Sequence, residues 1–157
     1  LGFFFTSLAL GLSKIGMLSD ILWLQVVGFV LYLPASLLVV SSGIALRSIG
    51  KAKTRDWTST TALVHSGIYR IVRHPMNLGM VIWAVGLMLT FQSVPCIILG
   101  ILAISCFWMT SEKEDEFNYQ KFGEEYQKYM GEVSRWNVFR GLKKGLLTKR
   151  KNMTNAL

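Results

Sequence analysis

The sequence predicts an all-α fold: a multi-pass integral membrane helical bundle with a helical hairpin and a cytoplasmic C-terminal amphipathic helix. Three observations carry that reading. Residues 21–46 run for 26 positions without a charge, and residues 76–111 for 36. The charged residues crowd instead into the connections and the C-terminal third. The chain is also 52% hydrophobic and only 17% charged over 157 residues, with a mean hydropathy of +0.40. A chain this short cannot hide that much apolar surface in a core of its own. The composition therefore excludes an ordinary soluble domain and points to the bilayer.

The first element is "LGFFFTSLALGL", residues 1–12. No basic residue precedes it and the next segment is equally apolar, so it reads as a membrane helix rather than a signal peptide. Residues 21–46 form the second element. About 20 apolar residues cross ~30 Å of hydrocarbon, so this run spans, and Pro34 inside it is expected to kink it.

The 36 residues from Met76 to Ser111 would make a straight helix of about 54 Å, too long for one crossing. "FQSVP" at 91–95 supplies the break, because Pro95 lacks a backbone donor and restricts the residue before it. The expected result is a hairpin with arms of about 15 residues, each marginal for a full crossing.

Charge fixes the expected orientation. The 47–75 connection carries Arg47, Lys51, Lys53, Arg55, Arg70 and Arg73 against Asp56 alone, while the hairpin tip has no charge. By the positive-inside rule the 47–75 loop and the C-terminus face the cytoplasm.

The tail divides in two. Residues 112–132 hold seven acids and three bases, with Phe117, Tyr119, Phe122, Tyr126 and Tyr129 at helical spacings, an amphipathic helix with an aromatic stripe. Residues 133–157 hold seven bases and no acid, with Val138, Phe139, Leu142 and Leu146 on one helical face. That is the pattern of a segment lying on anionic lipid. The net charge of +8 is thus a membrane-surface signal, and no nucleic-acid partner is expected. Cys96 and Cys106 lie in an uncharged run with no CxxC and no companion His, so they read as small apolar residues and no metal is expected.

Three polar clusters fall on one side of the membrane in this topology: "TALVHSGIYR" (61–70), "RHPMN" (73–77) and "EKEDE" (112–116). The last two flank the hairpin, so closing it brings His74 close to a carboxylate run. Each has a plain structural role: Arg70 and Arg73 as snorkelling anchors, Tyr69 as a belt residue, the acids as a helix start. Together they make a polar cleft at a membrane surface, which is costly to keep unused.

"TALVHSGIYRIVRHPMNLG", a short hairpin and "EKEDEFNYQKFGEEYQKYMGEVSRW" resemble the isoprenylcysteine carboxyl methyltransferase family over roughly residues 54–140. The resemblance implies an integral membrane enzyme that uses S-adenosylmethionine, with S-adenosylhomocysteine as the product. Carried over position by position, it implies a donor site built from Thr61, Ala62, Leu63, Val64, Tyr69, His74, Pro75, Met76, Asn77 and Glu114. Glu114 is the first of the family's paired acids and Asp115 the second.

Two positions depart from the pattern. Asn77 stands where the family usually has an aromatic, and Thr110 stands one helical turn before the acids where it has an arginine. Thr110 and Arg73 are the substrate-side candidates, and no residue is assigned to catalysis. The whole of 1–157 reads as one methyltransferase domain: membrane helices in 1–46, a cofactor-binding region in 47–140 containing the hairpin, and a basic tail in 141–157.

The implied reaction is methyl transfer to a lipid or lipid-modified acceptor, first of all the carboxylate of a prenylated cysteine. Partners are then the bilayer and a lipophilic or prenylated acceptor. A phospholipid amine N-methyltransferase, an NADPH-dependent membrane reductase that grips a 2′-phosphate with the 47–75 bases, and a non-enzymatic membrane scaffold or sensor remain as alternatives.

Overall fold

The structure, a computed structural model, describes Gly2, Thr6, residues 15–51 and residues 60–139. The apolar segment 1–12 apart from Gly2 and Thr6, the charges at Lys53, Arg55 and Asp56, and the basic tail 141–157 with Leu142 and Leu146 lie outside them. The described residues form four α-helices: α1, Leu22–Ser48; α2, Pro75–Phe91; α3, Val94–Phe122; and α4, Glu124–Glu132. A 3-10 helix, Gly67–Arg70, precedes α2. The chain divides into two compact units, Leu1–Val39 with Met76–Glu112 and Val40–Pro75 with Lys113–Leu157.

The first unit is packed through small residues. A Cβ on Gly28 of α1 would lie 2.5 Å from Thr90 Oγ1 and 2.7 Å from the Gly86 carbonyl of α2, and one on Gly79 would lie 2.8 Å from the Ala35 carbonyl. Helices in lipid gain nothing from hiding apolar groups from water, so association rests on such close approach and on interhelical hydrogen bonds. The bonds are present: the Tyr32 and Thr90 hydroxyls meet at 3.1 Å, and Trp83 Nε1 donates to Ser36 Oγ at 3.2 Å. Ala84 and Leu87 of α2 pack on Ala103 of α3, with Tyr32, Met80, Phe91, Ile104 and Phe107 around them.

The opposite faces are bare. Leu22, Trp23, Val30, Leu33 and Leu37 of α1 and Ile98, Ile101 and Met109 of α3 are each more than half exposed, a band of greasy surface that suits acyl chains rather than water. Helices α1 and α3 are long and apolar enough to cross a membrane, whereas α2 is shorter. This is a helical membrane protein.

Two expectations about the hairpin need correction. The turn is at Gln92, which adopts φ 44°, while Pro95 lies in the first turn of α3, where its missing N–H matters little. The turn is held from outside: Gln92 Nε2 donates to the Ile21 carbonyl at 2.9 Å, its Oε1 accepts from Ser19 Oγ at 2.7 Å, and its own carbonyl accepts from Leu18 N at 2.9 Å. Nor is the second arm about 15 residues long. Helix α3 runs 29 residues, through the onset of charge at Glu112 without a break, because backbone hydrogen bonding does not depend on the polarity of the side chains outside it.

The aromatic stripe is corrected with it. It belongs to two helices, separated by Gly123 at φ 58°, a conformation that side chains beyond glycine resist. Phe117 and Tyr119 on α3 are nearly half exposed, whereas Tyr126 and Tyr129 on α4 are buried. In the second unit these two tyrosines and Val133 pack with Leu63, Phe122 and Met130.

Candidate functional site

His74 is the residue immediately before α2, and its position is set from the backbone outward. Arg73 N donates to the Ser134 carbonyl at 3.0 Å and His74 N to the Arg135 carbonyl at 3.4 Å. This short lacing ties the segment before α2 to the segment after α4. The imidazole, 4% exposed as a side chain, then reaches the two acids of α3: Nδ1 lies 2.9 Å from Glu114 Oε2 and Nε2 lies 2.7 Å from Asp115 Oδ1. The two acids differ in exposure, Glu114 at 43% and Asp115 at 10%.

Asp115 is the hub. Its Oδ1 accepts from His74 and also from Tyr126 Oη at 2.6 Å. Its Oδ2 accepts from Arg135 Nε at 3.1 Å, with Arg135 Nη2 at 3.1 Å and Arg73 Nη2 at 3.5 Å. Burial alone raises the carboxyl's pKa, but the hydrogen bonds from His74 and Tyr126 and the charges of His74 and Arg73 outweigh it and hold the group at about 2. The imidazole is balanced in the opposite sense. Burial pushes it down, and the hydrogen bonds to Asp115 and Glu114, with their charges, more than restore it, so that it lies above its ordinary 6.5. Tyr126 and Tyr129 are pushed up, first by burial and then by neighbouring oxygens, and act as neutral donors.

Beside this cluster α4 lines a cleft of 480 Å³ with Leu63, His65, Ser66, Gly67 and Arg70 on one wall and Glu125, Lys128, Tyr129, Glu132 and Val133 on the other. Tyr129 links the two walls, since its hydroxyl donates to the Tyr69 carbonyl at 2.6 Å. The volume lies within the range of small-molecule sites, and the lining mixes the apolar Leu63, Tyr129 and Val133 with the charged Arg70, Glu125, Lys128 and Glu132.

The structure brings His74 into direct contact with Glu114, and both His74 and Arg73 onto Asp115. Leu63 lines the cleft, and Tyr69 is buried behind it with its side chain hydrogen-bonded to Ser42. Thr61 is fixed by its backbone, N to the Gly50 carbonyl at 2.9 Å, with its side chain outward. Val64 is buried and Ala62 half-buried. Pro75 is fully buried as the first residue of α2.

Met76, Asn77 and Thr110 belong to the first unit. There Asn77 Nδ2 donates to Ser111 Oγ at 3.1 Å, and the Thr110 hydroxyl donates to the Cys106 carbonyl at 2.8 Å. Sequence reasoning missed the weight of Asp115 and the presence of Tyr126 and Arg135. They lie 11 and 20 residues beyond Asp115, and only "SRW" at the end of the second motif hinted at the arginine. Among the described residues, no group of His, Cys, Asp and Glu is arranged to hold a metal.

Comparison with known proteins agrees with the motif reading. The model of the family described as phospholipid methyltransferase matches residues 23–125. A protein-S-isoprenylcysteine O-methyltransferase of Xenopus laevis is 29% identical over 121 residues, covering 74% of this chain and 41% of the relative. One of Rattus norvegicus is 28% identical over 140 residues, covering 82% and 49%. The chain thus spans less than half the length of the curated relatives it matches. No solved structure matches significantly.

Proposed function

The chain belongs to the phospholipid methyltransferase family, and from that premise we propose that it transfers a methyl group from S-adenosylmethionine to a lipid or lipid-modified acceptor. The observation that supports this best is His74 of "RHP" bonded to both acids that follow the hairpin. Two motifs 40 residues apart in sequence close on one another at a half-exposed carboxylate.

The residues present suit the donor. Glu114 offers a carboxylate to its ammonium or ribose, the cleft at Leu63 and Tyr129 offers apolar walls to adenine, and Thr61, Ala62, Val64, Tyr69 and Pro75 frame that side. Met76 and Asn77 continue the motif into α2. Among the described residues Arg73 Nε is buried with no hydrogen-bond partner, which leaves it a donor for a bound group. S-adenosylmethionine, when bound, supplies an electrophilic methyl group on a sulfonium.

The chain's own task is to bind, to orient and to exclude water. A carboxylate acceptor is already ionised and needs no base. Its attack on a sulfonium removes charge, so a dry pocket favours the transition state over separated ions. An amine acceptor would instead require a base. The relatives' names, protein-S-isoprenylcysteine O-methyltransferase, support a prenylated cysteine as the first acceptor to test.

We read the protein as multi-pass, with the 47–75 loop, the donor site and α4 on the cytoplasmic side, from the excess of Lys and Arg there. Calorimetric titration of detergent-purified protein tests the donor. S-adenosylmethionine should bind and NADPH should not; absence of S-adenosylmethionine binding would overturn the proposal. Transfer of labelled methyl to a farnesylated cysteine, compared with phosphatidylethanolamine in vesicles, then decides the acceptor.

A further inference from the structure

We infer that His74 stands as a doubly protonated imidazolium and is the positioning residue that holds the Glu114 carboxylate in place for the methyl donor. The second half rests on the reading above; the first does not.

The argument starts from valence. An ionised carboxylate only accepts hydrogen bonds, and a neutral imidazole carries a single N–H. Here each ring nitrogen faces a different carboxylate, Nδ1 with Glu114 at 2.9 Å and Nε2 with Asp115 at 2.7 Å. Both contacts are satisfied only if the ring carries both protons or one acid carries one. Asp115 is not that acid, because Tyr126 and Arg135 donate to it as well. Between an imidazole and a carboxyl group, a shared proton goes to the imidazole, which is the stronger base by about two pH units in model compounds.

The surroundings agree. Glu114 and Asp115 from α3, Arg73 beside the ring, Tyr126 and Tyr129 from α4, Arg135 after it and Tyr69 before α2 are charged or titratable groups facing the cluster. Two carboxylates then meet three cations, so the imidazolium is compensated in a place where a lone buried charge would be expelled. The consequence is mechanical. The ring's rotation is fixed at Nε2 by Asp115, which Arg135 and Tyr126 fix in turn. The proton on Nδ1 therefore points at a set place, and Glu114 is drawn there before any donor arrives.

The chain contains two histidines, so the state of the ring can be read directly by nitrogen NMR of protein labelled with 15N-histidine in detergent, with His65→Gln to assign the signals. His74 should keep two imidazolium nitrogens at pH 7, above the ordinary imidazole value of about 6.5. Glu114→Gln should move the His74 transition to lower pH without unfolding the protein. A single neutral tautomer at His74 at pH 7 would overturn the assignment.

The positioning role has its own readout. S-adenosylmethionine affinity, measured by calorimetry from pH 7 upward, should fall about tenfold as His74 loses its proton, the effect of about one charge-assisted hydrogen bond. Affinity that stays flat through the His74 transition refutes the positioning role and leaves the donor reading intact. No binding at any pH refutes the donor reading, and the spectra still decide the imidazolium.

Discussion

Asp115→Asn is the most informative single change, because the structure assigns each oxygen a separate job. At Oδ1 the amide oxygen still accepts from His74 and Tyr126. At Oδ2 an NH₂ group now faces Arg135 Nε and Nη2, donors against donors, and Arg73, His74 and Arg135 lose the carboxylate charge they share. The magnitude can be approached from two sides. A carboxyl held at about 2, against an ordinary 3.8, contributes about 2 kcal/mol at roughly 1.4 kcal/mol per pH unit. Removing one partner of a buried ion pair costs about 3–5 kcal/mol.

A loss of about 2–4 kcal/mol spans both and should lower the unfolding temperature by on the order of 5–10 °C. The sign with pH follows from the depressed value. The contribution is complete above about pH 4 and disappears as pH falls through about 2. The assay is thermal unfolding by circular dichroism in detergent, from pH 7 down to 2. Wild type should lose stability across that acid window, and the variant should start lower and show less of the loss. A variant as stable as wild type at pH 7, with the same acid profile, would refute the hub.

Further predictions concern other parts of the chain. Thr110→Arg restores the cation expected one turn before the acids and should raise turnover of prenylated cysteine by severalfold with donor affinity unchanged; no gain in a methyl-transfer assay means the acceptor is held differently. Gly28→Ala places a methyl group 2.5 Å from Thr90 Oγ1 and should destabilise by about 1–3 kcal/mol, seen as a lower unfolding temperature in detergent; an unchanged temperature would show that the seam yields. In a variant with Cys96 and Cys106 replaced by Ala, single cysteines at Lys51 and Glu124 should react with a membrane-impermeant maleimide from the cytoplasmic side, and one at Val94 should not. Labelling of 51 and 124 from opposite sides would end the hairpin topology.

Much of this was legible in the sequence, for identifiable reasons. The uncharged run 21–46 announced α1 because hydrocarbon leaves a helix no other way to satisfy its backbone. The meeting of His74 with the acids was legible too, because a hairpin returns its ends to one level. The end of α3 was not, since the onset of charge at Glu112 marks a change of solvent and not a change of backbone; the stop is Gly123, one residue with a left-handed φ.

The convergence of Arg135 and Tyr126 on Asp115 is a tertiary event with no local period to betray it. It also gives His74 a structural share: the ring is buried and bonded at both nitrogens, so replacing it by alanine should cost stability.

The turn at Gly123 sets a rule about chain length. A Cβ there meets nothing within 4 Å, so by space alone the position looks open to change. Yet the angular phase of α4 is counted from this residue: Gly123 N closes on the Tyr119 carbonyl at 2.8 Å, and Gln127 N closes on the Gly123 carbonyl at 3.2 Å. One inserted residue would turn α4 by about 100°, swinging the Tyr126 hydroxyl away from Asp115 and Tyr129 away from the Tyr69 carbonyl in a single stroke. Substitution at this surface turn is therefore limited only by the sign of one dihedral, while insertion or deletion breaks the phase that carries two tyrosines to their acceptors.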